Sequence, residues 1–294
     1  MSDQRPIIGH IRFSYYGLTD TRLQPDAGDT ALAALYDETR IARRFHLFEN
    51  LTLPSLMAQT DQDFRILVMS SDVMPDAFKE RLWLVASRLP QATVVFSRTR
   101  RSIHAYQRHM EDALGPDRTA QPLHFRLDDD DALAHSFIAR LRLAARDMPP
   151  RTHFSFPKGI LLFPTAFDGN EGASIMINQY LTALGLAWIS DADFLRPPFA
   201  MMHQKLWMDY PVVSDPGFPA YIRAMHFDND TRFRQNRFLR SYRAERFGPS
   251  APKCAAEVDA ALAAEFPSVA RPRLDALIGE LAQIKGLADL PSVT

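Results

Sequence analysis

Apolar and polar residues alternate along Ile7 to Ser14 and again along Leu123 to Leu127, where Leu123, Phe125 and Leu127 are separated by His124 and Arg126. That period of two predicts strands. Phe64 to Met69, interrupted only by Arg65, is instead a nearly continuous apolar run, the pattern of a strand covered on both faces, and Ala92 to Phe96 supplies another strand. Between these strands the apolar period lengthens to that of a helix. It does so over Thr30 to Tyr36, over Ile41 to Met57 with Phe45, Phe48 and Leu51 on one stripe, and after Pro75 through Phe78, Leu82, Trp83, Val85 and Ala86. Pro54 lacks the N–H that a helix interior requires, so a kink or restart is expected there. Strand, helix, strand, helix, strand predicts an α/β fold on a doubly wound, mostly parallel sheet, with ligand sites at the carboxyl ends of the strands.

The strand at Leu123 runs straight into four aspartates, 128 to 131. Leu133, Phe137, Ile138, Leu141 and Ala145 then recur at helical spacing. The expected local plan is strand, acidic loop, amphipathic helix. Two carboxylates about 6 Å apart at an effective dielectric near 20 repel by roughly 3 kcal/mol. Four at a semi-buried strand end therefore need protonation, basic partners or a bound cation, and oxygen ligands favour magnesium, manganese or calcium over zinc. The alternative is solvated charge at a helix N-terminus, where carboxylates are favoured in any case. An EF-hand loop fits badly, because it wants glycine where Ala132 stands.

Beyond Arg146 the pattern changes. Thr152 to Phe156 and Gly159 to Phe163 read as short strands about a Pro157-Lys158-Gly159 turn, and Thr182 to Ser190 is an apolar segment around Trp188. Pro211 to Val213 leads into a turn at Ser214 to Gly217, and Tyr221 to Phe227 leads into His226-Phe227-Asp228-Asn229-Asp230. Ala255 to Phe266 and Leu274 to Ile284 read as small helices. The expected organisation is one domain over 1–247, with a nucleotide-binding half (1–131) and an acceptor half (132–247), followed by a peripheral helical tail (248–294). Two tyrosines after the first strand, Tyr15 and Tyr16, either stack on a nucleotide base or decorate a loop surface.

Composition narrows the partners. A chain of 294 residues with 46% hydrophobic content can bury a sizeable core, and a formal net charge of -1 gives no general attraction to nucleic acid or anionic membrane. Charge is therefore local. Arg98, Arg100, Arg101 and Arg108 form one basic cluster, and seven arginines from Arg223 to Arg246 form another. Each grips anionic oxygens or is a solvated face. Cys254 is the only cysteine, which excludes an internal disulfide and a cysteine-rich zinc site. No stretch reads as a signal peptide or a spanning helix, so a cytoplasmic protein with at most peripheral membrane contact is expected. Dinucleotide, P-loop and His-Glu-x-x-His fingerprints are missing.

Two segments together resemble a known family. Leu53-Pro54-Ser55-Leu56-Met57-Ala58-Gln59-Thr60 followed by Asp63-Phe64-Arg65-Ile66-Leu67-Val68 is similar to the opening of family 2 glycosyltransferases of the GT-A fold. The stretch LDDDDALAHSFIARL is similar to the segment that holds their DxD motif. With the His226-Phe227-Asp228-Asn229 stretch, the chain more specifically resembles a bacterial rhamnosyltransferase family over roughly residues 7 to 240. The resemblance implies Asp128 and Asp130 as the DxD pair, Asp131 as the motif's final acid and His226 as a late metal ligand. The metal would be a divalent cation, manganese or magnesium. It implies a nucleotide-sugar donor bound near Asp72, Asp128, Arg12 and Arg101, and a glycan, glycolipid or other hydroxyl acceptor. An inverting reaction also needs a carboxylate base, for which Asp215 is the first candidate and Asp193 the second. Where family 2 enzymes carry two acids after the second strand, this chain has Ser70 and Ser71, with Asp72 displaced by one. A metal-dependent phosphohydrolase or nucleotidyltransferase would use the same acids, and a GT-A-like glycan- or partner-binding protein without catalysis is the third reading.

Overall fold

The computed structural model describes residues 5–17, 29–99, 106, 109, 121–162, 173–178, 183–191, 203–224, 226, 255–269 and 271–293. The strands described are β1 (Ile7–Arg12), β2 (Arg65–Ser71), β3 (Ala92–Ser97), β4 (Leu123–Asp128), β5 (Asp131–Leu133), β6 (His153–Ser155), β7 (Lys158–Leu162), β8 (Ala173–Asn178), β9 (Ala187–Ile189), β10 (Val212–Ser214) and β11 (Tyr221–Ala224). Seven of them form the main sheet in the order β10-β6-β9-β4-β1-β2-β3, and four form a second sheet, β5-β11-β7-β8. In the main sheet only β9 runs against its neighbours. The order reverses between β1 and β4, which is the switch point where a doubly wound sheet opens a crevice at its carboxyl edge. The expected α/β architecture is present.

The α-helices described are α1 (Asp29–Leu35), α2 (Glu38–Leu47), α3 (Leu53–Met57), α4 (Asp76–Ala86), α5 (Phe137–Ala145), α6 (Ala255–Glu265) and α7 (Arg271–Leu281), with short 3-10 turns at His203–Met208 and Leu287–Asp289. Between α2 and α3 the helix neither stops nor restarts. Phe48–Thr52 widens into a π turn, with the Leu53 N–H donating to the Phe48 carbonyl, and Pro54 then sits in the first turn of α3. The wide turn absorbs the donor that proline lacks. From the C-terminal segment, Val258, Leu262, Phe266, Val269, Leu274, Leu277, Leu281 and Ile284 join the main hydrophobic cluster.

Strand register divides the main sheet into two unlike faces. Ile7, Ile11, Ile66, Val68, Leu123, Phe125, Leu127 and Phe154 face the cluster shared with the helices. Alternate residues carry His10 and Arg12 on β1, His124, Arg126 and Asp128 on β4, Trp188 on β9 and His153 on β6. This second face is also buried at its centre. The His10 and His124 rings share a hydrogen bond (Nε2 to Nδ1, 3.0 Å), His124 Nε2 meets Ser190 Oγ at 2.9 Å, and Trp188 is stacked by both His124 and His153.

Burial holds these imidazoles neutral. The pKa of His10 lies well below the usual value, helped by its neighbour His124; that of His124 falls to about 3 and that of His153 to about 4. The unfolded chain therefore binds more protons than the fold below about pH 6.5. Stability should drop as pH falls from there toward 4, by up to about 1.4 kcal/mol per pH unit for each ring. Burial and the nearby acids Asp130 and Asp128 push Asp131 upward, and its effect runs the other way. Urea unfolding between pH 7 and 4.5 of the wild type and His153→Phe isolates the imidazole contribution. The variant should show the shallower slope, and equal slopes would contradict the assignment.

Two further expectations are corrected. Asp131–Leu133 is a strand paired to β11 rather than loop and helix start, so Leu133 lies outside α5; its pairing with Tyr221 outweighs the helical spacing. The two short strands about the Pro157 turn, β6 and β7, are present but lie in different sheets: the chain leaves the main sheet at Ser155 and enters the second at Lys158. Tyr15 and Tyr16 are buried, at 3% and 8% exposure, with the Tyr15 hydroxyl donating to the Thr99 carbonyl, so neither is a surface aromatic.

Gly159 on β7 shows how closely the second sheet is packed. A β-carbon there would lie 2.1 to 2.4 Å from ring atoms of the buried Tyr221. Gly159→Ala should cost about 1–3 kcal/mol by equilibrium denaturation.

Candidate active site

All strands of the main sheet except β9 end on one side, which carries Arg12, Ser71, Ser97, Asp128, Ser155 and Ser214. Asp128 closes β4 and Asp131 opens β5, so the four aspartates are the junction where the chain passes from one sheet to the other. Backbone pairing of Arg223 with Asp131 on β11 brings His226 alongside the same turn.

The four carboxylates have different surroundings. Asp128 keeps one third of its side chain exposed, with Arg126 at 3.6 Å. Asp129 is fully buried and gripped by the Arg44 fork, Nε donating to Oδ2 at 3.0 Å and Nη2 to Oδ1. Asp130 Oδ2 lies 2.8 Å from His226 Nε2 and 3.4 Å from Arg44 Nη1. Asp131 Oδ1 accepts the Ala224 N–H at 2.9 Å. Burial opposes the charge of Asp130, but Arg44, His226 and Arg223 overcome it and hold that carboxyl below its usual range. Burial with Asp130 and Asp128 nearby pushes Asp131 well above it. Adjacent carboxyls are thus driven apart, one toward the ionised and one toward the protonated form.

The turn is clamped from α3 and the π turn. Thr52 Oγ1 donates to the Asp129 carbonyl (3.0 Å), Ser55 Oγ accepts the Leu133 N–H (3.2 Å), and Gln59 donates to the Ala134 carbonyl while accepting the Ile138 N–H. The Thr60 N–H reaches the His135 carbonyl at 2.9 Å. Ser55, Gln59 and Thr60 therefore hold the carboxyl end of the β5 segment, while Thr52 holds the turn before it. This gives a physical reason why their motif and the acidic run occur together.

Among the residues singled out in the sequence, Asp128, Asp130, Asp131 and His226 are brought together. Arg12 lies at the end of β1 beside Asp128 in the strand register. Asp72 follows β2, its N–H bonded to the Ser97 carbonyl and Arg98 Nε 3.5 Å from its carboxylate. Asp215 follows β10 on the same edge, its Oδ1 accepting the Gly217 N–H at 2.7 Å. Three strand spacings separate β10 from β4, or about 14 Å. Asp193, Arg101 and Asp228 lie outside the described residues. Sequence reasoning missed Arg44. The available signal was its place beside Ile41, Phe45 and Phe48 on the buried stripe, where a cation requires a buried partner.

The donor set suits a hard divalent cation. Asp128, Asp130 and His226 offer the oxygen and imidazole donors such an ion takes, and Asp131, pushed upward first by burial and then by Asp130 and Asp128, stands behind them. Among the described residues no three His, Cys, Asp or Glu side chains are already gathered as a cage. Instead Arg44 and His226 converge on Asp130.

Residues 6–237 match the family described as "Putative rhamnosyl transferase". The chain belongs to that family. Rhamnosyl transfer is a glycosyl transfer, so membership places the chain among glycosyltransferases. Comparison with curated proteins gave no match. Solved structures with partial likeness include S. aureus TarS 1–349 in complex with UDP, at 11% identity and a TM-score of 0.40, covering 75% of this chain. This chain spans 60% of that fragment's length. A mannosyltransferase from Pyrobaculum calidifontis in complex with GDP-Man and Mn2+ has 14% identity and a TM-score of 0.43, with coverage of 98% of this chain and 73% of its own. No helix among the described residues is long and apolar enough to cross a membrane.

Proposed function

We propose that this member of the family moves a sugar, with rhamnose the first candidate, from a nucleoside diphosphate donor to a hydroxyl of a glycan, glycolipid or other acceptor. The observation that carries this reading is the acid turn at the β1–β4 switch point, where Asp130 is kept ionised beside the partly exposed Asp128. In such a transfer the difficult event is departure of the diphosphate, whose growing charge must be stabilised. Asp128, Asp130 and His226 are the residues that would hold a manganese or magnesium ion, with Asp131 behind them. A cation so held supplies Lewis-acid stabilisation of the departing oxygens. Arg12, at the same edge, serves to orient the diphosphate, and Asp72 with Arg98 faces the nucleoside. Asp215, on the same carboxyl edge, accepts the proton of the acceptor hydroxyl, with Asp193 in reserve. This division keeps residues 1–131 as the nucleotide half and 132–247 as the acceptor half.

A panel of nucleotide sugars tests the reading, with release of nucleoside diphosphate measured with and without Mn2+ or Mg2+. Release from one donor, stimulated by cation and by an acceptor, is the expected result. Hydrolysis of plain nucleotides at equal rates would favour a phosphohydrolase. No turnover with any donor, together with retained nucleotide-sugar binding, would leave a non-catalytic binding protein.

A further inference from the structure

The buried Arg44 carries more than one ion pair, and its contacts with Asp129 and Asp130 divide the acids by task. Two of its nitrogens grip Asp129, whose backbone carbonyl is also held by Thr52, so that acid belongs to the framework. Its third nitrogen reaches Asp130 Oδ2, the oxygen that also meets His226. Asp131 is committed to the Ala224 N–H. Asp128 is left as the carboxylate with the largest exposure of the four.

We propose that Arg44 is a positioning residue for transfer and the resident counter-cation of the acid turn. It locks Asp129 and Asp130 into the sheet junction, presents Asp128 to the donor, and competes with a bare divalent cation for Asp130. The proposal rests on the sugar-transfer reading for its catalytic half only. Its electrostatic half concerns the chain alone. If Arg44 competes for Asp130, free cation binds the resting protein weakly, and added negative charge from a donor diphosphate shifts the balance toward the cation.

The test uses Arg44→Met combined with Asp129→Leu, which removes both members of the buried pair and so leaves no orphaned charge at Asp129. Mn2+ affinity is measured by calorimetry on the full chain without nucleotide, alongside the thermal midpoint and the kcat and KM for donor hydrolysis. Because the deleted pair carries no net charge, cation affinity changes only through release of Asp130 Oδ2 from the guanidinium; expected are a cooperative melt, Mn2+ binding about 10-fold tighter, and kcat about 100-fold lower from misplacement of the acids. A merely structural role would not tighten cation binding. Wild-type kcat with unchanged Mn2+ affinity, or weaker Mn2+ binding, overturns the proposal. Arg44→Lys, which keeps the charge and loses the fork, should hold Mn2+ affinity near wild type while kcat falls. It decides the question if the double variant does not fold, and tighter Mn2+ binding by Arg44→Lys would count against the proposal. If the wild type turns over no nucleotide sugar but the double variant still binds Mn2+ more tightly, the transfer reading fails while the counter-cation role stands.

Discussion

Asp130→Asn is expected to lower sugar transfer at least about 100-fold, the usual scale for losing one preorganised electrostatic group at a reacting centre. The same change should leave the fold intact. The substituted amide removes a buried charge whose partners remain satisfied: Arg44 keeps its grip on Asp129, and the amide oxygen can still accept from His226. The thermal midpoint should therefore stay within a few degrees of wild type, roughly the span that 1 kcal/mol gives in a domain of this size. Parallel melts and donor-hydrolysis assays decide the matter. Full turnover in a folded Asp130→Asn protein would remove Asp130 from the transfer chemistry, and with it the role assigned to His226.

Arg44→Met alone should have the largest effect on stability. It leaves the buried Asp129 without the Arg44 countercharge and strips Asp130 of one of its partners, a change that costs about 3–5 kcal/mol when one member of a buried pair is deleted. For a chain of this length that is a fall of about 10 °C in thermal midpoint. Much of the loss should return when Asp129→Leu is added, because the penalty comes from the orphaned charge rather than from the missing bond. Arg81 offers a matched control. It pairs with Glu49 on the same helical scaffold, at 2.8 and 3.0 Å, but does not touch the acid turn. Arg81→Met should therefore destabilise with little effect on Mn2+ binding. A thermal midpoint for Arg44→Met close to wild type would show that the Asp129 carboxyl is already neutral in the fold.

The helical and strand periods of the N-terminal half were legible because each element there is amphipathic or fully covered and is followed by its own turn. Leu133 was misassigned for an equally physical reason. A three-residue strand has too few positions to establish a period, and Leu133 falls at helical spacing from Phe137. The Pro157 turn was legible only in part for a related reason: local turn chemistry says that the chain bends, but not whether the next strand returns to the same sheet.

The alternation in β1 and β4, the four consecutive acids and the Ser55–Thr60 motif determined from sequence alone that a doubly wound sheet ends in a charged turn. The period of two sets which side chains share a face, and four adjacent carboxylates cannot be placed without partners. Tertiary structure alone decided which partners those are. Arg44, 85 residues from Asp129, and His226, 96 residues from Asp130, reach the turn only through the packing of α2 on the sheet and the pairing of β11 with β5. Contacts of that range leave no trace in local spacing, because they are fixed by which surfaces bury together and not by the order of residues along the chain.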